Sequence, residues 1–481
     1  MKLINPLIIL KILDKILLIE TISFLPCLPV ALIYKESLLP FLWSVVITGF
    51  CYLIFRFPGR KANTDKISNR DTFLIVTLAW ILFSLFGSLP YLISKTIPSF
   101  VNAFFESASG FTTTGASILN EVENLPYSIL FYRSLTHWIG GIGIIVLVIL
   151  ILPTLKVTGY QLFSLESSMK EKIHPRVKCI AFRIMFIYIG LTLIEVGLLV
   201  TGDMNLFDSV CHAFGTIATG GFSTKNTSLM YYSTYSQYIV MIFMFLAGTS
   251  QVVYYYLVKF NFRKVKHNEE LWFYLITVIS AGALGVSILF FNTAKPFEEA
   301  FREGYFNIIS IVTCTGFANA DYILWPTAGI SLIFLMMFAG GSTGSTSGGI
   351  KMARHLIVLK NIKSVFIRLI HPKTVTLVKL NGKSLDERAN ISIISFIILY
   401  IFLFIVGTIF LTTFGSDTIT SASSVAACMA GIGPGLGSVG PMSNYSGLPD
   451  ISKVVLSFLM IIGRLEIVTV FVLFSKSFWK L

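Results

Sequence analysis

Four short glycine-built loops recur along the chain: Thr113-Thr114-Gly115-Ala116-Ser117, Thr219-Gly220-Gly221-Phe222-Ser223, Cys314-Thr315-Gly316-Phe317-Ala318 and Gly433-Pro434-Gly435-Leu436-Gly437. With Gly115, Gly221, Gly316 and Gly435 taken as their centres, the intervals are 106, 95 and 119 residues. That is too even for chance and too long for a solenoid repeat. The chemistry such loops offer is coordination by backbone oxygen. Glycine permits the positive φ and close approach that a β-carbon blocks, and a ring of carbonyls at fixed distance can replace an ion's hydration shell. Thr112, Thr113, Thr114, Thr219, Thr313 and Thr315 supply hydroxyls to hold or extend such a ring. No Asp or Glu stands in any of the four loops, so the carboxylate ring expected of a calcium or sodium pore is missing. A weakly hydrated monovalent cation fits best, potassium first. The expected K+ ligands are Thr113, Thr114, Thr219, Gly220, Thr315, Gly316 and Gly433, with Gly115, Gly221, Cys314, Pro434 and Gly435 completing the filter.

Each loop follows a segment too short or too polar to cross a bilayer: 104–111, 207–218, 298–312 and 417–430. Acidic or polar residues stand near each start (Asn102 and Glu106, Asp208, Glu298 and Glu299, Asp417), and acids favour a helix N-terminus. Such half-helices enter from outside and end partway down, their carbonyl ends directed at a common axis. The unit is therefore helix, half-helix with loop, helix, repeated four times around one pore.

A mean hydropathy of +0.80, with 55% hydrophobic and 13% charged residues, excludes an ordinary soluble domain. Runs of about 20 apolar residues, enough to cross the hydrocarbon core, occur repeatedly. Ten spans are expected at 4–34, 37–56, 72–94, 127–152, 183–201, 236–258, 271–293, 322–360, 390–413 and 451–478. The N-terminal segment reads as a retained helix, because Lys11 and Lys15 interrupt it and no small-residue cleavage site follows. With both termini cytoplasmic, most of the 37 Lys and Arg fall inside, and only Lys35, Lys95, Lys225, Lys295 and Lys453 fall outside. The net charge of +13 thus sets topology and is no nucleic-acid footprint. The six cysteines show no metal-ligand or redox spacing.

Two further features bear on the pore. In the second helix of repeat three stand ten consecutive small residues: Gly340, Gly341, Ser342, Thr343, Gly344, Ser345, Thr346, Ser347, Gly348 and Gly349. Glycine costs about 1 kcal/mol per helical position relative to alanine, so the helix should break there. Its freed backbone must face water or the pore. Arg464 lies deep in the last span, where it either lines a water-filled cavity as a cation barrier or pairs with a buried acid such as Glu195. The first reading is adopted. Glu466, two residues on, points elsewhere. His137 reads as a satisfied interfacial histidine, and Glu106 as a helix anchor, not an ion ligand.

These residues resemble the Trk/Ktr/HKT superfamily of potassium transporters, closest to its bacterial TrkH/TrkG branch. The likeness runs over essentially the whole chain. It is carried by Gly110-Phe111-Thr112-Thr113-Thr114-Gly115-Ala116, Ala218-Thr219-Gly220-Gly221-Phe222-Ser223-Thr224, the 340–351 stretch ending in Ile350-Lys351, Gly433-Pro434-Gly435-Leu436-Gly437 and Gly463-Arg464-Leu465-Glu466. The resemblance implies an all-α polytopic membrane protein with four M1–pore loop–M2 repeats around a pseudo-fourfold pore. Two extra N-terminal helices precede them (1–70), and the repeats follow at 71–182, 183–268, 269–388 and 389–481. It implies that 340–349 is an intramembrane gate, and that the protein is a homodimer in the bacterial inner membrane. It further implies K+ as the transported ion, no organic cofactor, and a TrkA-type cytosolic nucleotide-binding partner. The basic stretch 360–389 is the expected docking region for that partner, beside its attraction to lipid headgroups. A sodium-permeable or H+/Na+-coupled member of the same superfamily is the alternative. A voltage-gated channel is excluded by the lack of an Arg-rich sensor. An enzyme is disfavoured because no catalytic cluster stands at water-accessible positions.

Overall fold

The computed structural model describes residues 4–60, 68–146, 174–374 and 376–480. The end of the expected span 127–152 and most of the cytoplasmic stretch 156–178 lie outside these residues.

Two antiparallel helices, Pro6–Ser23 and Leu39–Gly59, open the chain and pack on each other. Asn5 caps the first through Leu7 N–H, and prolines in the first turn of each occupy positions whose N–H needs no partner. The first repeat then begins at Asn69, behind a capping box of Ser68 and Asp71. Its outer helix is Asn69–Phe86, its pore helix Phe100–Phe111 and its inner helix Tyr127–Val146. The second repeat has the outer helix His174–Val200 and pore helix Leu206–Ile217. The third has Glu269–Asn292 and Phe297–Val312, and the fourth Glu387–Thr413 and Thr418–Ala430.

Three pore helices begin on the expected acids. Asp208 and Glu298–Glu299 lie in first turns, and Asp417 caps Thr420 N–H. Hydrogen bonds from the Thr420 side chain and backbone hold the Asp417 carboxyl below the usual carboxylate range. The first pore helix departs from this. Its first turn carries no acid, and Glu106 sits seven residues in, turned towards its own filter loop.

The polarity is inverted relative to a soluble protein. Ile276, Ile279 and Leu284 on one outer helix, and Ile398, Phe402 and Ile405 on another, face outward. Ser107, Ser109, Thr216, Ser310, Ser421 and Ser423 on the pore helices are buried. This is the arrangement expected where the exterior solvent is lipid and the polar work is internal.

Among the described residues, six helices are long and apolar enough to cross a membrane. Two of the expected spans are not straight: 236–258 resolves into Thr234–Ala247 and Gln251–Val258, bent by 94°, and 451–478 into Asp450–Arg464 and Ile467–Phe474, bent by 111°. The 322–360 segment is Thr327–Met336, an irregular loop, and Met352–Ile370. Hydropathy alone reads each as one span because the breaks, at Gly248–Thr249–Ser250 and Leu465–Glu466, are too short to interrupt an apolar window. In the 360–389 stretch, Lys379–Leu380 and Lys383–Ser384 form a hairpin across Asn381 and Gly382, both at positive φ. Asn381 accepts Glu269 N–H at 2.8 Å, and Lys360 pairs with Glu269, so the hairpin is tied to the start of the third outer helix.

Candidate filter and gate

Each pore helix ends by turning its chain back outward in the same way. The N–H groups of Thr114, Gly220, Thr315 and Ile432 donate to Ser109, Gly215, Ser310 and Ala427 at 2.9, 2.7, 2.8 and 2.9 Å. On either side of these residues φ is positive: Thr113 (53°) and Gly115 (81°), Thr219 (54°) and Gly221 (85°), Cys314 (55°) and Gly316 (83°), Gly431 (73°) and Gly433 (100°). Paired left-handed residues of this kind orient successive carbonyls to one side.

This pattern corrects the register of the fourth loop. Its central glycine is Gly433, not Gly435, which shortens the last interval to 117 residues. Gly435 lies outside the turn, with its N–H on Val439 O at 2.7 Å and its carbonyl accepting from Tyr322 Oη at 3.1 Å. Pro434 takes the place held by Ala116, Phe222 and Phe317 in the other loops. Alternating glycines at 431, 433, 435 and 437 make the register ambiguous by spacing alone.

The four turns close on one another. A β-carbon at Gly115 would overlap the carbonyl oxygen of Gly220; at Gly221, that of Thr315; at Gly316, that of Ile432; and at Gly433, that of Thr114. Each central glycine thus abuts the preceding carbonyl of the next repeat, in the cyclic order one, two, three, four, one. Thr113, Thr114, Gly115, Thr219, Gly220, Gly221, Cys314, Thr315, Gly316 and Gly433 are gathered there, together with Gly431 and Ile432, which spacing did not reveal. The hydroxyls of Thr112 and Thr313 bond back to Ala108 O and Ile309 O, and meet those of Thr114 and Thr315, both at 2.8 Å. That lock exists in the first and third turns; the second and fourth carry Ala218 and Ala430 at the matching places.

Beneath the ring, residues 340–349 fold as an irregular loop tied to its neighbours by a few hydrogen bonds. Ser342 N–H donates to Gly248 O at 2.9 Å, Gln251 N–H to Gly344 O at 3.2 Å, and Thr346 Oγ1 to Ile217 O at 3.1 Å. Gly340, Gly341 and Ser347 close the neck through Ile350 O and Ser347 Oγ, and Lys351 Nζ donates to Ser347 O. Ser345 turns back on Ser342 O at 2.7 Å. A β-carbon at Gly348 would overlap Ala430 O, and one at Gly349, whose φ is 67°, would crowd Gly340 Cα at 3.1 Å. The loop is thereby seated against the inner ends of the second and fourth pore helices. Glu270 went unnoticed in the sequence: its Oε1 accepts both Thr343 N–H at 2.6 Å and Ala353 N–H at 3.0 Å, pinning the loop and the helix that follows it.

Arg464 is buried and belongs to this loop. Its guanidinium donates to Thr346 O at 2.7 Å and to Gly140 O at 3.2 Å, bridging the loop to the first inner helix. It forms no ion pair with Glu195, so that alternative is set aside. Glu466, at φ 60° in the bend, pairs instead with buried Arg354 at 2.7 Å. His137 is corrected as well. It is wholly buried, neither ring nitrogen has a hydrogen-bond partner, and it stacks on Phe222 at 4.1 Å directly behind Gly220. Glu106 anchors the filter loop: it accepts Ile118 N–H at 2.9 Å and pairs with Arg133 at 2.9 Å.

Comparison with known proteins places the chain in a family. Residues 44–284 and 286–481 match the TrkH family, described as cation transport proteins. The Trk system potassium uptake protein TrkH of Halomonas elongata is 34% identical over 98% of this chain and 99% of its own length. The Trk system potassium uptake protein TrkG of Escherichia coli is 33% identical over 96% of each. The crystal structure of the potassium transporter TrkH from Vibrio parahaemolyticus superposes with a TM-score of 0.90 at 31% identity, covering 99% of both chains. An all-α polytopic membrane protein with this closed quartet of turns, the chain belongs to the TrkH family of cation transport proteins, a family of transporters and not of enzymes.

Proposed function

We propose that this chain is the membrane subunit of a potassium uptake system, carrying K+ inward through the carbonyl ring. The observation that carries the reading is the cyclic abutment of Gly115, Gly221, Gly316 and Gly433 on Gly220, Thr315, Ile432 and Thr114. Layers of backbone oxygen from Thr113, Thr114, Thr219, Gly220, Thr315, Gly316 and Gly433 supply uncharged ligands on all sides. Such a site suits an ion that sheds water cheaply. An inside-negative potential of about 100 mV supplies about 2.3 kcal/mol per charge, enough for roughly fifty-fold accumulation without a coupled ion.

Below the ring the 340–349 loop obstructs the path and Arg464 holds it shut. Opening requires a force on the loop, and a cytosolic nucleotide-binding subunit of the TrkA type, docked on the basic 360–389 face, supplies it. A homodimer in the inner membrane with cytoplasmic termini is the assembly that fits the charge distribution and the kinship. The test is rubidium and sodium uptake into proteoliposomes, with and without the regulatory subunit. Rubidium uptake several-fold above sodium, rising when the regulator is added, is expected. Equal uptake of both ions would overturn potassium selectivity, and a strict need for a proton or sodium gradient would replace uniport with symport.

A further inference from the structure

We propose that Glu106 and Arg133 form a clamp across the first and second filter turns that sets the preference for K+ over Na+; the proposal rests on the filter reading above. Arg133 stands on the first inner helix and spreads its guanidinium over two repeats. Nε meets Glu106 Oε1 at 2.9 Å, Nη2 donates to Ser117 Oγ at 3.2 Å, and Nη1 donates to Ser223 O at 3.2 Å. The planar group also lies over the Phe222 ring, 4.0 Å from its centroid. Ser117 and Ser223 each lie two residues beyond the central glycine of their turn. Glu106 completes the knot by accepting Ser117 Oγ at 3.0 Å and Ile118 N–H at 2.9 Å. Its oxygens are thus committed to the protein and not to an ion.

The matching place, nine residues before each central glycine, is held by His212, Asn307 and Ser424 in the other repeats. His212 Nε2 meets Ser223 Oγ at 2.9 Å and Asn307 Nδ2 donates to Asn319 Oδ1 at 2.9 Å. At the other seams Leu229 N–H donates to Ala318 O at 2.9 Å and Arg302 Nη1 to Gln237 Oε1 at 2.6 Å between the second and third repeats, and Tyr445 N–H donates to Ser117 O at 2.8 Å between the fourth and first. The Glu106–Arg133 pair lies within the first repeat and crosses to the second through the Arg133–Ser223 bond, while the Arg354–Glu466 pair joins the third and fourth repeats. Charge-assisted bonds are roughly twice as strong as neutral ones, and the guanidinium fork also fixes orientation. A carbonyl ring that cannot contract around the smaller ion leaves Na+ under-coordinated. Glu106 and Arg133 are therefore positioning residues, acting through Ser117, Ile118, Ser223 and Phe222.

The experiment compares rubidium and sodium uptake in proteoliposomes for wild type, Arg133→Lys and the double variant Glu106→Gln/Arg133→Met. The double variant removes both charges together, avoiding a lone buried charge; the lysine keeps the charge and loses the fork. The readout is the sodium-to-rubidium ratio, which loss of folded protein leaves unmoved. The ratio should rise about tenfold in the double variant and about threefold in Arg133→Lys. An unchanged ratio in both, beside a selective wild type, overturns the clamp alone. A wild type that does not prefer rubidium overturns the filter reading and the clamp with it.

Discussion

The four filter turns and the four inner helices beneath them follow opposite rules. The turns share φ pattern, hydrogen-bond closure and mutual contact, although their central triplets read Thr-Thr-Gly, Thr-Gly-Gly, Cys-Thr-Gly and Gly-Ile-Gly. The inner helices end in different ways: one bends by 94°, one by 111°, and one dissolves into the 340–349 loop. A dehydrated ion must be met equally from all sides, so backbone geometry is held while side chains drift. Blocking a pore takes one element, so symmetry below the filter is dispensable. Under the proposed function, symmetry in this molecule tracks ligation, and asymmetry tracks control.

The sharpest way to break that comparison is at the ring. Gly433→Ala places a methyl group against Thr114 O at a φ of 100°, and rubidium uptake should fall at least about hundredfold because one wall of the coordination shell is displaced. Gly435→Ala meets the Val439 and Ser423 side chains, with the Ser423 backbone at 3.3 Å, and its φ is not positive. Uptake there should stay within about threefold of wild type. Equal losses at both positions would return the filter centre to Gly435 and undo the fourfold equivalence.

That pair of glycines also marks what the sequence could carry. Repeated units, half-helices and three central glycines were legible because backbone conformation leaves a compositional trace: glycine where φ is positive, acids where helices start. Thr113, Thr219 and Cys314 adopt positive φ without such a trace, so the equivalence with Gly431 needed coordinates. The ten-residue run at 340–349 announced a broken helix because its composition is extreme. The bends at Gly248–Thr249–Ser250 and at Glu466 involve few residues inside apolar runs and left no signal in hydropathy. Long-range polar contacts were the least visible. Glu270 lies 73 residues from Thr343 and Arg464 lies 118 from Thr346, separations over which a single chain gives no pairing rule.

The next effect in size concerns the asymmetric layer. Deleting residues 341–346 removes the loop but leaves the ring untouched, and basal rubidium flux without a regulator should rise about tenfold. Arg464→Ala cuts two hydrogen bonds that bridge the loop to Gly140, and should raise basal flux about threefold. In the combined variant the flux should equal that of the deletion alone, since Arg464 then has no loop to hold. Additive increases would make the arginine an independent electrostatic barrier. A lower flux with lower yield in Arg464→Ala would make it a structural support of the ring instead.

The smallest expected effect asks whether the loop is held from its own repeat or from its neighbours. Glu270 takes the N–H of Thr343 in the loop and of Ala353 in the following helix on one oxygen, so Glu270→Gln keeps an acceptor while losing its charge. The two bonds should weaken by about 1 kcal/mol in total, visible as a modest drop in thermal midpoint and a basal flux raised less than about twofold. Glu270→Ala strands two buried donors, and the cost should reach about 2 kcal/mol or more. Identical midpoints and flux for both variants and wild type would assign the hold to Gly248 O, Ile217 O and Arg464, all outside the third repeat. The gate would then be fastened by its surroundings, and release would have to begin in the bent inner helices of repeats two and four.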